Sequence, residues 1–410
     1  MGKIILHIDF DSFFASVEQQ DNLKFRNKPL GVTATNGRTC IIASSREAKK
    51  IGIKTGLRTY EAFKICPSLN LVPANFIKYL EISKIFLAIC KNFSPFIELF
   101  SIDEVFMDVT QTVHLFGGTY KMIEKIKKEI KEKIGECITV SAGISCNRLL
   151  SKLASGINKP DGVFEITKSN LEEVYARSNL TDVCGIGERI KLRLNKIGIH
   201  TLLELREANL LLLISEFGNC EGHFLKNIGL GQDSDSLNSF SVVPSVRSVG
   251  RNYCLPRNEY DRKIVLQNIY ELCEEVCLKL RRLNKKARTV GFYLSGNISL
   301  HGRKTYRGYF DTGKEMFDLL TNLAHLNKFK YVRQIRVMVS GLDDKDNAPL
   351  SLFDSGKKDM LISAIDKIND RFGDHTIRNG FLLYADELTT VPNGYMADRY
   401  ERSKLALENV

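Results

Sequence analysis

The chain has 410 residues, 43% of them hydrophobic, and a formal net charge of +11. That length is sufficient for several compact domains, and no apolar run reaches the ~18 residues that would span a bilayer. Acidic residues interrupt the first segment before a signal-peptide core forms, so we expect a cytoplasmic protein without a membrane partner. The ten cysteines include no Cys-x-x-Cys pair, which argues against a zinc site and fits a reducing compartment.

The first 166 residues alternate between strand and helix patterns. We predict strands at 3–9, 98–100, 105–109 and 138–144, and helices at 12–20, 120–134 and 147–157. This order is the split βαβ pattern of ferredoxin-like folds, interrupted at about 21–75 by an insertion. The first and third strands of that topology are antiparallel neighbours. Asp9, at the end of the first, should therefore meet Asp103 and Glu104, at the start of the third.

Three carboxylates in one cleft repel one another unless cations share it. Hard oxygen ligands in an open site suit Mg²⁺, and two such ions can stabilise an in-line phosphoryl displacement. Taken alone, Asp103-Glu104 is equally typical of an exposed hairpin turn. Asp11 is a possible fourth acid, but its position before a helix near Ser12 favours a role as helix cap.

A second unit, from about 167 to 230, has a wholly helical pattern. Within it, Gly185-Ile186-Gly187 separates two helices, and Lys191 follows. Such a turn lets backbone N–H groups approach a phosphate closely, as in a helix-hairpin-helix motif, although an ordinary glycine turn has the same pattern. A second, degenerate hairpin is possible at 217–222.

A polar stretch at 231–242 is typical of a linker, and a third unit follows. Its elements again read βαββαβ. Residues 245–340 contain 19 Lys and Arg but only 8 Asp and Glu, a surplus equal to that of the whole chain. This local excess favours a polyanionic partner, with nucleic acid ahead of an anionic membrane.

Four blocks resemble the Y-family translesion DNA polymerases, the UmuC/DinB group. They are IDFDSFFASVE at 8–18, SIDEVFMDVT at 101–110, SAGISCNRLLSKLASGINKPDG at 141–162 and DVCGIGERIKLRL at 182–194. The resemblance implies an α+β multidomain, right-hand polymerase with a ferredoxin-like palm, small fingers, a helix-hairpin-helix thumb and a βαββαβ little finger. The implied bounds are palm 1–20 and 76–166, fingers 21–75, thumb 167–231, linker 232–244, little finger 245–341 and tail 342–410.

The resemblance also implies an activity and a substrate site. The chain would add dNTPs to a primer on template DNA with low fidelity, in translesion synthesis during DNA repair and the SOS response. Asp9, Asp103 and Glu104 match the ligands of two Mg²⁺ ions, which the Phe10 carbonyl also faces. Phe14 matches the steric gate beneath the incoming sugar, and Phe13 lies beside it at the nucleotide. As a bare sequence feature, Phe14 would be assigned to the core.

Lys159 matches a lysine that contacts the nucleotide's phosphates. In the fingers, the family's usual tyrosine and arginine contacts to the triphosphate are replaced by Arg46 and Lys49. The implied DNA contacts run through the thumb and the little finger, at Gly185, Gly187, Lys191, Arg247 and Arg251.

The tail contains Ala-Pro-Leu-Ser-Leu-Phe at 348–353, which resembles the peptide that docks bacterial polymerases on the sliding clamp. Leu350, Leu352 and Phe353 would make that contact, although proline replaces the usual leading glutamine and an ordinary apolar patch is the alternative. The residues that follow resemble the UmuC branch, which would imply a UmuD-like partner.

Two other functions compete with a polymerase. A non-catalytic polymerase-like scaffold recruited to the clamp would have lost the acids, and all three are present. A nucleotide cyclase also uses paired acids and metals, but it has no role for a helix-hairpin-helix or a basic third domain.

Overall fold

The computed structural model describes residues 2–34, 40–233, 237, 245–323, 329–348, 357–373 and 376–383. The chain divides into two compact units. The first contains the described residues up to 237, and the second those from 245 onward. No helix in these ranges is both long enough and apolar enough to cross a lipid bilayer.

The central sheet of the first unit has five strands in the order β5-β6-β1-β7-β8. The strands are β1 (Ile5–Phe10), β5 (Phe96–Leu99), β6 (Glu104–Asp108), β7 (Val140–Ser145) and β8 (Val163–Glu165). The middle strand, β1, runs antiparallel to both β6 and β7, which confirms the ferredoxin-like topology. The edge strand β8, parallel to β7, was not predicted.

Helices cover both faces of this sheet. They are α1 (Phe13–Asp21), α4 (Phe76–Lys91), α5 (Thr119–Lys133) and α6 (Arg148–Ile157). Leu6, Ile8 and Phe10 point into one core with buried residues of α4 and α5. Because side chains alternate along a strand, His7 and Asp9 face the other way. Contacts of α6 with β1 and β7 place this helix over the second face.

The insertion between α1 and α4 has its own small sheet, which the sequence did not predict. Three strands pair in the order β3-β2-β4, and two short helices pack on them around a separate apolar core. The elements are β2 (Leu30–Thr33), β3 (Ile41–Ser44), α2 (Arg46–Lys50), α3 (Thr59–Ile65) and β4 (Asn70–Pro73).

The segment after β8 is helical, as predicted. It contains α7 (Leu171–Arg177), α8 (Glu188–Lys196), α9 (Leu202–Glu207), α10 (Leu210–Phe217) and α11 (Asn219–Leu230). Its core is continuous with Leu150 and Leu153 of α6. Helix α6 therefore packs against both the sheet and this helical segment.

The second unit has the predicted element order, but its sheet is arranged differently. The elements are β9 (Ser248–Glu259), α12 (Arg262–Arg282), β10 (Lys285–Gly296), β11 (Ser299–Phe310), α13 (Gly313–Leu323) and β12 (Val332–Asp344), followed by α14 (Lys357–Phe372). The strands lie in the order β11-β10-β12-β9, all antiparallel. The split βαβ pattern recurs, because β12 lies between β9 and β10, which run parallel to each other. The strand order differs from that of the first unit, since the first strand lies at the edge and not at the centre.

Candidate active site

Asp9 and Glu104 are direct partners across the antiparallel pair of β1 and β6. The next residue along β1, Phe10, donates its backbone N–H to the carbonyl of Asp103 at 3.0 Å. Opposed residues of such strands have Cα atoms only about 4.5–5.5 Å apart. The fold thus brings together the three acids that the sequence analysis singled out.

Each of these carboxylates has a partner within the chain. The ammonium group of Lys159 contacts Asp9, and that of Lys152 contacts Glu104. The hydroxyl of Ser101 donates to Asp103. In the ranges described above, no three His, Cys, Asp or Glu side chains form a ready-made metal site. Two lysines thus occupy the positions beside the acids where cations would be expected.

Burial and charge act differently on the three acids. Burial raises the pKa of Asp9 and that of Asp103, while Lys159 opposes the effect at Asp9. Burial acts in the same direction on Glu104, but the hydrogen bond from His7 and the charge of Lys152 outweigh it and lower the pKa of Glu104 to about 2. Partly buried carboxylates of this kind gain from an added cation.

Asp11 does not cap helix α1, so that expectation was wrong. Its carboxylate is buried and accepts the hydroxyls of Thr139 and Ser141 at 2.6 and 2.7 Å. It also accepts the backbone N–H of Asp161 at 2.8 Å. The N-cap position belongs to Ser12, which makes no side-chain capping bond. The carboxylate of Asp11 thus accepts hydrogen bonds from Thr139 and Ser141, at and before the start of β7, and from the turn after Lys159. It thereby links these two segments.

Arg46 is the first residue of the short helix α2 of the insertion, and Lys49 lies three residues further along it. Arg46 donates to the Thr139 hydroxyl and lies 3.6 Å from the carboxylate of Asp11. Lys49 Nζ donates to Ser12 Oγ at 2.7 Å. Burial and the charge of Lys159 lower the pKa of Lys49. Three cations therefore converge beside the acids.

Phe13 and Phe14 have different environments although they are adjacent. Phe13 is buried and stacks on Phe10, with ring centroids 4.7 Å apart, so its side chain belongs to the core and the predicted nucleotide contact could involve only its backbone. Phe14 is half-buried and stacks on Tyr79 at 4.3 Å. Its edge contacts Phe76. Of the two rings, Phe14 is the one placed at the surface.

The predicted glycine turn lies immediately before α8. Gly185 has φ +105, and a Cβ there would lie 2.7 Å from the ring of Phe224. Gly187 is the N-cap of α8, and a Cβ there would have no atom within 4 Å. Lys191 lies on the first turns of α8, near Glu188. The first glycine is required by packing, and the second leaves the backbone accessible.

In the described part of the second unit, α12 and α13 pack on one face of the sheet, and Arg336 and Met338 are exposed on the other. Register places Arg336 of β12 beside Tyr293, and Gly291 beside both Met338 and Arg303. Arg303 donates to Ser340 Oγ at 3.0 Å on this outer face. The outer face therefore presents Arg303 and Arg336 beside Tyr293, Met338 and Ser340.

Arg247 is exposed just before β9, whereas Arg251, also predicted to contact DNA, has a partner within the chain. Arg251 shares the inner side of β9 with the core residue Val249. Its guanidinium pairs with Glu275 of α12 at 3.0 Å. Arg251 thus connects the sheet to a helix and does not point to the outer face.

Three further residues of the site, His7, Lys152 and Tyr79, were not predicted from the sequence. Period-two alternation on β1 could have identified His7, because it lies on the same face as Asp9. The contacts of Lys152 and Tyr79 depend on how α6 and α4 cross the sheet, which no local pattern records. Leu350, Leu352 and Phe353 lie outside the described residues.

A split βαβ sheet with opposed acids, a helix-hairpin-helix segment and a basic second unit define a template-directed nucleic-acid polymerase. Residues 8–156 match the impB/mucB/samB family, and residues 246–352 match the C-terminal domain of that family. The chain belongs to this family, the Y-family DNA polymerases.

Known proteins are similar in sequence to this chain over nearly its full length. DNA polymerase IV of Pelotomaculum thermopropionicum is 33% identical over 407 residues, which is 98% of each chain. DNA polymerase IV of Acetivibrio thermocellus is 30% identical, covering 93% of this chain and 98% of that protein. A solved Y-family DNA polymerase chimera of Dbh and Dpo4 is 28% identical, with a TM-score of 0.71, over 83% of this chain and 99% of the other.

The protein is accordingly a metal-dependent, DNA-directed DNA polymerase of the translesion type, which acts on primer-template DNA and dNTPs. This result disfavours the non-catalytic scaffold and the cyclase. The similarity to the UmuC branch stays a prediction.

Proposed function

We propose that Asp9, Asp103 and Glu104, with the carbonyl of Phe10, hold two Mg²⁺ ions during dNTP addition. The observation that supports this most directly is the register of β1 and β6, which sets Asp9 opposite Glu104 with Asp103 adjacent. The donors are hard oxygens, and burial penalises the charge on Asp9 and Asp103. Bound there, the ions would stabilise the attacking and leaving oxygens of the phosphoryl transfer.

Lys159, Lys49 and Arg46 bind the triphosphate of the incoming nucleotide. Their convergence on one side of the acids supports this role, as does the lowered pKa of Lys49 near Lys159. Negative charge from phosphates relieves repulsion between these cations. Lys159 exchanges its contact with Asp9 for a phosphate oxygen when the site is loaded.

Phe14 excludes ribonucleotides by occupying the space that a 2′-hydroxyl needs. Its half-buried ring is supported from behind by Tyr79 and at the edge by Phe76. The one polar group of these three rings, the Tyr79 hydroxyl, donates to Glu18 at 2.7 Å. A rigid apolar ring therefore discriminates by exclusion.

The DNA duplex is held through its phosphates. In the thumb (167–231), the turn at Gly185 and Gly187 with Lys191 meets one strand through backbone N–H groups. In the little finger (245–341), Arg247 and the outer face of the sheet, with Arg303 and Arg336, meet the other part of the duplex. The palm (1–20 and 76–166) and fingers (21–75) complete the polymerase, with 232–244 as the linker.

The segment at 348–353 docks on a sliding clamp through Leu350, Leu352 and Phe353, and a UmuD-like subunit regulates the enzyme. Both partners are inferred from resemblance in the tail, 342–410. Pull-down with purified clamp, compared between the wild type and Leu352→Ala/Phe353→Ala, tests the first. Equal recovery would exclude this segment as the clamp contact.

Single-nucleotide incorporation on a primer-template tests the site. Loss of one charge-assisted contact costs about 1.5–3 kcal/mol, so Lys49→Ala and Lys159→Ala should each raise the KM for dNTP by roughly 10- to 100-fold. Lys50→Ala is the matched control, since Lys50 is the exposed next residue on α2. An unchanged KM in Lys49→Ala would contradict the triphosphate assignment.

A further inference from the structure

His7 is a fully buried histidine with a polar partner at each ring nitrogen. Its Nδ1 lies 2.7 Å from Ser155 Oγ, and its Nε2 lies 2.9 Å from Glu104 Oε2. It stands two residues before Asp9 on the same face of β1, so the ring lies beneath the acids. The polymerase function derived above assigns it no role.

The surrounding fold holds this ring from several sides. Gly143 of β7 is its register partner, and a Cβ on Gly143 would lie 2.0 Å from the carbonyl oxygen of Ser151. That close approach of α6 brings Ser155 within reach of the ring. On the other side, β6 places Phe106 with its ring centroid 4.5 Å from that of His7. The imidazole therefore has little freedom to rotate.

The contacts to Glu104 fall on one oxygen. His7 and Lys152 both reach Oε2, whereas Oε1 has no hydrogen bond recorded within the described part of the chain. An imidazole N–H is directional, unlike a rotating ammonium group, so His7 sets the plane of the carboxylate. Partners that orient a ligand in this way commonly alter metal affinity by about 10- to 100-fold when they are removed.

We propose that His7 is a positioning residue, which orients the Glu104 carboxylate for a divalent cation while Ser155 fixes the imidazole. This inference rests on the proposed role of Glu104 as a metal ligand. The competing explanation is a histidine that only fills the space beneath α6. The two explanations differ in which atom of the side chain matters.

Two conservative variants of His7 distinguish a positioning role from a space-filling role. In His7→Gln the amide nitrogen can take the place of Nε2 and still reach Glu104. In His7→Asn the shorter side chain reaches only toward Ser155. Mn²⁺ binding to the full-length protein is the readout, measured by the electron paramagnetic resonance signal of free Mn²⁺, together with kcat and KM for dNTP and the melting temperature.

We expect His7→Gln to bind Mn²⁺ within about threefold of the wild type and His7→Asn about tenfold more weakly. The kcat should fall with Mn²⁺ affinity in His7→Asn, at an unchanged KM for dNTP. Equal Mn²⁺ affinity in the two variants would overturn the proposal, even if both melted at a lower temperature.

A serine pair covers the case in which His7 variants fail to fold. Ser155 and Ser151 are both buried on α6, and the hydroxyl of each lies within hydrogen-bonding distance of the carbonyl three residues earlier. The single proton of Ser155 serves that carbonyl or Nδ1 of His7, which is an acceptor because Nε2 donates to Glu104. Only Ser155 also contacts His7. Ser155→Ala should weaken Mn²⁺ binding about threefold, whereas Ser151→Ala should leave it unchanged. Equal values for the two would refute the role of Ser155 and, with it, the fixed imidazole.

Glu104→Gln separates the proposed role of Glu104 as a metal ligand from the proposed role of His7 in orienting it. If it binds Mn²⁺ like the wild type, the proposed metal role of Glu104 fails. If it binds more weakly while His7→Asn and Ser155→Ala do not, only the positioning role of His7 fails.

Discussion

The ring of Tyr79 lies nearly parallel to that of Phe14, with centroids 4.3 Å apart and an interplanar angle of 14°. The hydroxyl of Tyr79 donates to Glu18 at 2.7 Å, and Lys78 pairs with the same carboxylate at 2.9 Å. Glu18 lies one turn after Phe14 on α1, so the Tyr79 ring is anchored to the helix that carries Phe14.

Tyr79→Leu should therefore loosen the Phe14 ring and weaken the exclusion of ribonucleotides. An aromatic pair contributes about 0.5–1.5 kcal/mol, so the preference for dNTP over rNTP should fall by roughly 3- to 10-fold. Tyr79→Phe keeps the stack and loses only the hydroxyl, and it serves as the control. Competitive incorporation of the two nucleotides measures the ratio, and an unchanged ratio in Tyr79→Leu would refute the role.

Alanine substitutions at Gly185 and Gly187, in the turn before α8, should have different effects on stability and DNA binding. Gly185→Ala imposes a Cβ at φ +105 against Phe224, so we expect a lower melting temperature. Gly187→Ala has space for the methyl group and a φ of −89, so it should melt like the wild type but bind DNA more weakly. Thermal melts and fluorescence anisotropy give both values. A Gly187→Ala variant that binds DNA like the wild type would contradict the proposed contact of this turn with a DNA phosphate.

Arg336 and Arg251 offer a matched pair on adjacent strands of the second unit. Arg336 is exposed on the outer face, whereas Arg251 pairs with Glu275 on the inner side. Arg336→Gln should reduce the slope of log Kd against log salt by ~0.9, as expected for one phosphate contact. Arg251→Gln should leave that slope unchanged. If the two results were exchanged, the outer face would not be the DNA surface.

Glu104 should make the stability of the enzyme depend on pH in a defined range. Its pKa in the folded protein is about 2, below its ordinary value of 4.5, because His7 and Lys152 outweigh the effect of burial. A depressed carboxyl pKa stabilises the fold above the ordinary value, and the effect is lost as pH falls toward the folded value. The difference in unfolding free energy between the wild type and Glu104→Gln should therefore narrow from pH 4.5 toward pH 2. Urea titrations at several pH values measure it, and a constant difference would contradict the assignment.

Local periodicity was sufficient to predict four of the five strands in the first sheet, but not β8 or helix α4. The alternation of apolar strands and helices at 3–9 and 120–134 indicated the split βαβ order, and that order alone implied the meeting of Asp9 with Glu104. The same element order did not determine the sheet of the second unit, where β9 lies at the edge. Strand order depends on which long-range pairs bury the most apolar surface, and this is not a local property.

Side-chain partners were harder to predict than positions. Asp11 was expected to be a helix cap, but its carboxylate oxygens accept the hydroxyls of Thr139 and Ser141. Arg251 counts toward the basic excess of its segment, yet its strand face turns it inward. Net charge records how many cations a segment has, whereas strand register decides which of them face outward.

The central claim is that Asp9, Asp103 and Glu104, which meet at the ends of β1 and β6, form the catalytic site for DNA synthesis. Rapid-quench incorporation of one dNTP, with DNA affinity measured on the same preparation, tests it in Asp103→Asn. A lost metal ligand removes several kcal/mol of transition-state stabilisation, so we predict a rate lower by roughly 10³-fold at unchanged DNA affinity. Incorporation at the wild-type rate in Asp103→Asn would contradict the account.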